Sequence, residues 1–250
     1  MKRFTLIPHG QYHRSRRFFR TALLCLFCLL LPASAWCKGK DSVRVTIFGD
    51  SYSTFEGYLT PDTNEVWYFT AAHQQRGNDV NRVEQTWWWQ VKERMGWKVE
   101  RVNAYSGSTV CYTGYNREDY TPRSFLTRLP NLGEPDIILV CAATNDSWCG
   151  APIGEYQYGN WTRQDLFSFR PAMAKLCHDL KAQYPQAELL FMLNSELKES
   201  INESISTICR HYGVPLLKLH DIDKQRGHPS VAGMKAIADQ VIKYFKARSK

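Results

Sequence analysis

An α/β sandwich built on a parallel sheet of five strands is the fold the sequence predicts. Three observations predict it. Five short apolar runs alternate with segments of helical period, the pattern of a sheet with crossover helices. Residues 136–142, Asp-Ile-Ile-Leu-Val-Cys-Ala, are almost continuously apolar, as a strand covered on both faces must be. No linker or internal repeat interrupts the series, so residues 36–250 read as a single domain.

The first 35 residues stand apart from that domain. Lys2, Arg3, Arg14, Arg16, Arg17 and Arg20 precede an apolar run at 21–31, which ends in Pro32-Ala33-Ser34-Ala35. Basic, then apolar, then small-x-small is the secretory pattern, so 1–35 is expected to be a signal peptide. The run is too short for a confident membrane span, and cleavage leaves 215 residues with no stable membrane insertion. The expected location is periplasmic or extracellular. A lipoprotein acylated at Cys37 is the rival, disfavoured because Trp36 is too bulky for the position before such a cysteine.

In the mature chain, residues 43–48 form the first strand, ended by Gly49. A long irregular stretch at 55–84, rich in Asn, Asp, Tyr and Thr, reads as an inserted loop. Residues 85–95 follow as a helix stopped by Gly96, and 99–104 as the second strand. The third strand is 136–142. Thr162 and Asp165 have capping-box spacing before a helix bent or renewed at Pro171. Residues 188–193 form the fourth strand, 201–211 a helix closed by Gly213, and 214–219 the fifth strand. Ser230 caps the last helix, whose Met234, Ile237, Ala238, Val241, Ile242 and Phe245 make one stripe.

Composition narrows the function. With 44% hydrophobic and 22% charged residues in 250, the chain is ordinary globular protein. Its net charge of +8 is concentrated in the leader; without the six leader cations, +2 remains. A chain so near neutrality carries no electrostatic footprint for nucleic acid. None of the six cysteines beyond the leader, Cys37, Cys111, Cys141, Cys149, Cys177 and Cys209, falls in a C-x-x-C pair, so zinc ribbons and thioredoxin-type motifs are unsupported. His220, Asp221, Asp223 and His228 match no standard metal-ligand spacing, and no metal is expected.

In open parallel sheets ligands bind at the carboxyl ends of the strands. There the sequence places Gly49-Asp50-Ser51, Ser106-Gly107-Ser108, Thr144-Asn145-Asp146 and a segment from Asp221 to Ser230 that contains His228. These residue types suit acyl transfer. A serine hydroxyl is a weak nucleophile and needs a base, normally a histidine. The oxyanion formed by attack needs preorganised donors. Ser51 supplies the hydroxyl and its own N–H, Gly107 an N–H open to close approach, Asn145 a side-chain amide, and His228 the base.

The arrangement resembles the SGNH hydrolases, the GDSL esterase and lipase family. Gly49-Asp50-Ser51 looks like the first block, Gly107 the second, Thr144-Asn145-Asp146 the third and His228-Pro229 the last. The resemblance spans about 43–245. It implies a flavodoxin-like three-layer α/β/α sandwich and esterase activity without a metal or organic cofactor. Two positions depart from the pattern. Ala143 stands where the third block has glycine, a change tolerable if φ stays negative. Gln225 stands where the family's D-x-x-H places the acid that orients the histidine. Asp223, brought round by a longer turn, is the expected substitute; a backbone carbonyl or Gln225 itself are the alternatives.

The substrate expectation is a small acyl ester, O-acetyl above all, on a carbohydrate. Trp67 in the insert and Trp148 just past Asn145 are the candidate substrate-binding rings; the other tryptophans are expected to fill the core. A lipid or lysophospholipid ester, a non-catalytic glycan-binding protein and an acyltransferase are the rival readings. Cys111 and Cys149 each lie four residues past an expected oxyanion-hole residue, so either a disulfide across the site mouth or two free thiols fits.

Overall fold

The computed structural model describes residues 42–74 and 76–248. The expected signal peptide at 1–35, Cys37 and the rest of the N-terminus up to residue 41 lie outside the described residues.

The chain opens with β1 (Arg44–Gly49), which enters a single 3-10 turn at Ser51–Ser53. Among its described residues the segment that follows contains no strand, yet Phe55, Leu59, Trp67, Tyr68 and Val80 are buried. It is therefore part of the packed body and not a free excursion. Helix α1 (Trp87–Met95) starts two residues later than expected, because the Thr86 side chain accepts the Trp89 N–H and fixes the start there. Gly96, at φ +67°, ends it. Then come β2 (Lys98–Ala104), the short α2 (Phe125–Arg128), β3 (Ile137–Ala142) and α3 (Thr144–Cys149).

Thr162 and Asp165 do form a reciprocal pair: each backbone N–H donates to the other's side chain, at 2.8 and 3.3 Å. The pair starts a one-turn 3-10 segment, Asp165–Phe167. Helix α4 (Phe169–Gln183) begins after it, with Pro171 in its first turn, where no helical N–H is lost. The remaining elements are β4 (Glu188–Leu193), α5 (Glu199–Tyr212), β5 (Leu216–Lys218), the two-residue strands β6 (Lys224–Gln225) and β7 (His228–Pro229), and α6 (Val231–Arg248).

The five-stranded sheet is wholly parallel in the order β2-β1-β3-β4-β5. Side chains alternate between its two faces. Ile137, Leu139 and Cys141 join the core formed with α1 and α6, while Ile138, Val140 and Ala142 join that formed with α4 and α5. Both cores are apolar, which is why β3 reads as one apolar run with no polar alternation. The layers are helix, sheet, helix. No helix among the described residues is long and apolar enough to cross a membrane.

Candidate active site

Ser51 sits where β1 ends. Asp50 caps its 3-10 turn by accepting the Tyr52 N–H at 3.0 Å. The turn is so tight that a Cβ on Gly49 would overlap the Ser53 side chain, which requires glycine there. Ser51 Oγ lies 2.9 Å from His228 Nε2. Residues 177 positions apart therefore meet at hydrogen-bond distance, as a nucleophile and its base must.

The other two blocks converge on the same edge. The Ser51 and Gly107 N–H groups donate to no acceptor among the described residues, and Gly107 has φ +78°. Asn145 Nδ2 donates one hydrogen to Ser108 O at 3.0 Å, leaving the second. Asn145 Oδ1 accepts the Tyr115 hydroxyl at 2.9 Å, which fixes which end of the amide faces the site. Asp146 ties the third block to the second: its carboxylate accepts the N–H groups of Val110 and Cys111 at 2.8 and 3.1 Å. Burial holds both Asp50 and Asp146 at a pKa of about 6, against the downward pull of the N–H groups they accept.

The expected orienting acid is not at the histidine. His228 Nδ1 faces the Arg226 carbonyl at 3.1 Å. Asp223 instead accepts the Ser230 hydroxyl, and its own carbonyl accepts the Ser230 N–H at 3.0 Å. The reason is the turn. Lys224 and Gln225 pair with Pro229 and His228, and Arg226 and Gly227 between them have φ +55° and +77°. Positive φ at both central residues makes a tight two-residue hairpin of the I′ type, not the longer turn anticipated. Such a hairpin leaves Asp223 at its base and puts the Arg226 carbonyl under the ring. Gln225 is engaged elsewhere, accepting the Asp79 N–H at 2.9 Å.

The inserted segment serves as the clamp on this hairpin. Tyr68 Oη donates to Pro229 O at 2.8 Å, and Asn78 Nδ2 reaches Gln225 O at 3.2 Å. Tyr52 Oη adds a bond to Gly227 O at 2.7 Å. Trp67, expected at the substrate surface, is only 7% exposed and stacks on His228, centroids 3.6 Å apart at 12°. Its indole walls the imidazole. Trp148 is different: 42% exposed, with its ring edge-on to His228 at 5.5 Å. Of the two rings, Trp148 is the one open to a ligand. Desolvation by these neighbours pulls His228 down to about 4, Arg76 and Lys224 adding to it against the Arg226 carbonyl, so the ring is neutral near pH 7.

Beneath the site lies Arg128, buried between the Phe48 and Phe125 rings. Its guanidinium donates to the carbonyls of Gly49, Asn103 and Arg123 and to the side chains of Asn103 and Ser108. One buried cation thereby braces the loops that follow β1 and β2. Ala143 does not meet the condition that would make the exchange for glycine cost-free: it has φ +76°, in the left-handed region. Cys111 and Cys149 are free thiols, both directed at the Thr113 carbonyl.

The GDSL-like lipase/acylhydrolase family model matches residues 43–245, which takes in every residue of this geometry. The chain belongs to that family. Two solved proteins described as GDSL-like lipases resemble it along nearly their whole length. That of Bacteroides uniformis is 52% identical, with TM-score 0.81, over 83% of this chain and 97% of the other. That of Bacteroides ovatus is 49% identical, with TM-score 0.80, over 83% and 99%. A family two carbohydrate esterase from Clostridium thermocellum, solved with cellohexaose, shares the fold at 14% identity and TM-score 0.56, over 83% and 65%. No curated protein matches the sequence. As a GDSL-type ester hydrolase, the chain carries its family's four blocks with Ala143 in place of one glycine and a carbonyl in place of one carboxylate.

Sequence reasoning missed Tyr115 and Arg128, and it held a backbone carbonyl as an alternative to Asp223 without naming Arg226. Tyr115 and Arg128 carry no local signal, because a lone tyrosine or arginine outside the apolar strand and helix patterns reads as surface. The Arg226 role was signalled by the Arg226-Gly227 pair, a turn that admits positive φ.

Proposed function

We propose that this GDSL-type hydrolase is an exported serine esterase that removes a small acyl group, O-acetyl above all, from a carbohydrate. The observation that carries the mechanism is the 2.9 Å contact between Ser51 Oγ and His228 Nε2 beside unpartnered donors from Ser51, Gly107 and Asn145. His228 takes the hydroxyl proton as Ser51 Oγ bonds to the acyl carbon. The carbonyl oxygen becomes an oxyanion that accepts from the two backbone N–H groups and the Asn145 amide. The C–O bond then breaks, and His228 returns the proton to the departing alcohol. Water repeats the sequence on the acyl-serine and frees the acid. His228 acts through a dyad, its Nδ1 proton accepted by the Arg226 carbonyl.

Three things support the substrate and the location. Trp148 offers an exposed ring beside the base. The fold is shared with esterases described as acting on carbohydrate. The N-terminus has the composition of a secretory leader. The test is a series of p-nitrophenyl esters of increasing acyl length, run beside acetylated xylan, with wild type and Ser51→Ala. Fastest cleavage of acetate, release of acetate from the polysaccharide and loss of both in the variant are expected. A preference for long acyl chains would replace this reading with the lipid one.

A further inference from the structure

A cavity of about 420 Å3 opens beside the oxyanion loop, lined by Asn64, Tyr105, Glu118, Tyr120 and Arg123 among others. Its position ties it to the chemistry. Tyr105 donates its N–H to Gly49 O at 3.2 Å, two residues before Ser51. Arg123 Nη1 lies 3.8 Å from where a Cβ on Gly107 would sit. The Tyr120 ring is 6.3 Å from that of Tyr115, whose hydroxyl holds Asn145. The cavity wall thus lies against Gly107 and beside the ring that holds Asn145. By contrast, a cavity of about 330 Å3 lined by Tyr184, Ala187 and Glu188 lies where β4 begins, at the opposite end of the strands.

The chemistry of the wall is specific. The Arg123 guanidinium lies 5.0 Å from the Tyr105 ring centre and 4.7 Å from that of Tyr120. It is held over aromatic faces, which fixes it without consuming its hydrogens. Its ion pair is with Glu65 at 3.6 Å, beyond hydrogen-bond length. No side-chain hydrogen bond of Arg123 occurs among the described residues, so a rigid fork of donors faces the cavity. Acceptors stand around it: Glu65, Glu118 and Asp119, the last also paired with Arg163 at 3.0 Å. Carboxylates offset the one guanidinium, so the site disfavours an anion. Donors, acceptors and two aromatic rings in one recess suit a neutral polyhydroxylated ring.

We propose that this cavity is the subsite for the sugar that carries the ester, a neutral pyranose recognised by Arg123 and the rings of Tyr105 and Tyr120. The proposal rests on the carbohydrate-ester reading above and adds where the alcohol half binds and what charge it has.

The experiment compares kcat/KM on an acetylated xylo-oligosaccharide with kcat/KM on p-nitrophenyl acetate, which has no sugar. Tyr120→Ala and Arg123→Gln are each expected to lower the sugar-to-nitrophenyl ratio at least tenfold, chiefly through KM, and Tyr120→Phe to restore it. An equal loss on both esters overturns the subsite, as does a wild-type preference for acetylated oligogalacturonate. A second arm titrates unacetylated xylohexaose into wild type and Tyr120→Ala calorimetrically. Binding lost in the variant supports the subsite; absence of binding to wild type overturns it. Wild type that cleaves the nitrophenyl ester, binds xylohexaose and spares every sugar ester defeats the O-acetyl reading alone, leaving the sugar subsite standing.

Discussion

The imidazole of His228 lies flat on the indole of Trp67, ring centres 3.6 Å apart and planes 12° from parallel. This contact and the Arg226 carbonyl at 3.1 Å hold the ring in the absence of a carboxylate. One contact fixes its plane and the other its tautomer. Trp67→Ala is expected to destabilise the fold by about 3–5 kcal/mol, the usual cost of truncating a buried aromatic. It is also expected to lower kcat at least tenfold. Trp67→Phe keeps a ring against the imidazole and is expected to stay within a few-fold of wild type. Equal kcat in all three proteins would remove Trp67 from the positioning of His228.

Burial holds His228 at about 4, against an ordinary imidazole value of 6.5. A base works only when unprotonated, so kcat/KM rises with pH and levels off above its pKa. The acid limb is expected to bend near pH 4, leaving the rate flat through 6.5. In Trp67→Ala, water reaches the ring and the bend moves up toward 6.5. A wild-type bend at 6.5 would contradict the desolvation account.

Ser51→Ala is expected to abolish ester cleavage and leave the thermal unfolding profile intact. Asn145→Ala is expected to lower kcat about a hundredfold with little change in KM, since its free N–H meets the oxyanion chiefly in the transition state. Tyr115→Phe removes only the bond that aims that amide, at 2.9 Å. A drop in kcat of about tenfold, without a change in KM, is the expected outcome. Unaltered kinetics in Tyr115→Phe would mean that the Ser108 contact alone suffices.

Asp223→Asn, Asp221→Asn and Gln225→Ala separate a triad from a dyad. Asp223 is bonded to Ser230, and Asp221 is an exposed partner of His220. All three variants are therefore expected to keep kcat within about threefold and the same acid limb. Loss of the kind that follows removal of a triad carboxylate, about ten-thousandfold, in any one of them would restore an orienting acid.

Ala143 occupies φ +76°, where an L-residue costs roughly 1–2 kcal/mol relative to glycine. Ala143→Gly is expected to raise the melting temperature by about 2–4 °C for each kcal/mol relieved, in a domain of this size. Calorimetry on the two proteins decides it; a lower melting temperature in the variant would show that the buried methyl contributes more than the strain removes.

Much of this was legible in the residues. The apolar runs became strands within a residue or two, since a strand buried on both faces has no polar position to disguise it, as in Ile137–Ala142. The placement of Ser51, Gly107, Asn145 and His228 at one edge of the sheet was legible as well, because each follows a strand or turn whose end the sequence marks. Asp223 was misplaced because linear distance to His228 does not report which way a turn folds. The positive φ of Arg226 and Gly227 does, and it sends the carbonyl rather than the carboxylate to the ring.

The alternation of apolar runs and helices fixes the layers, because each period can bury its apolar face in only one kind of element. The four blocks fix the chemistry, because their residue types have few other uses together. Tertiary structure alone decided the rest. Trp67 stacks on a ring 161 residues away, Arg128 gathers carbonyls from the ends of β1 and β2 and from a 3-10 turn at Arg123, and Tyr115 aims an amide 30 positions later. Contacts across such distances depend on how sheet and loops close together, and no local pattern encodes where a closing loop will find its partner.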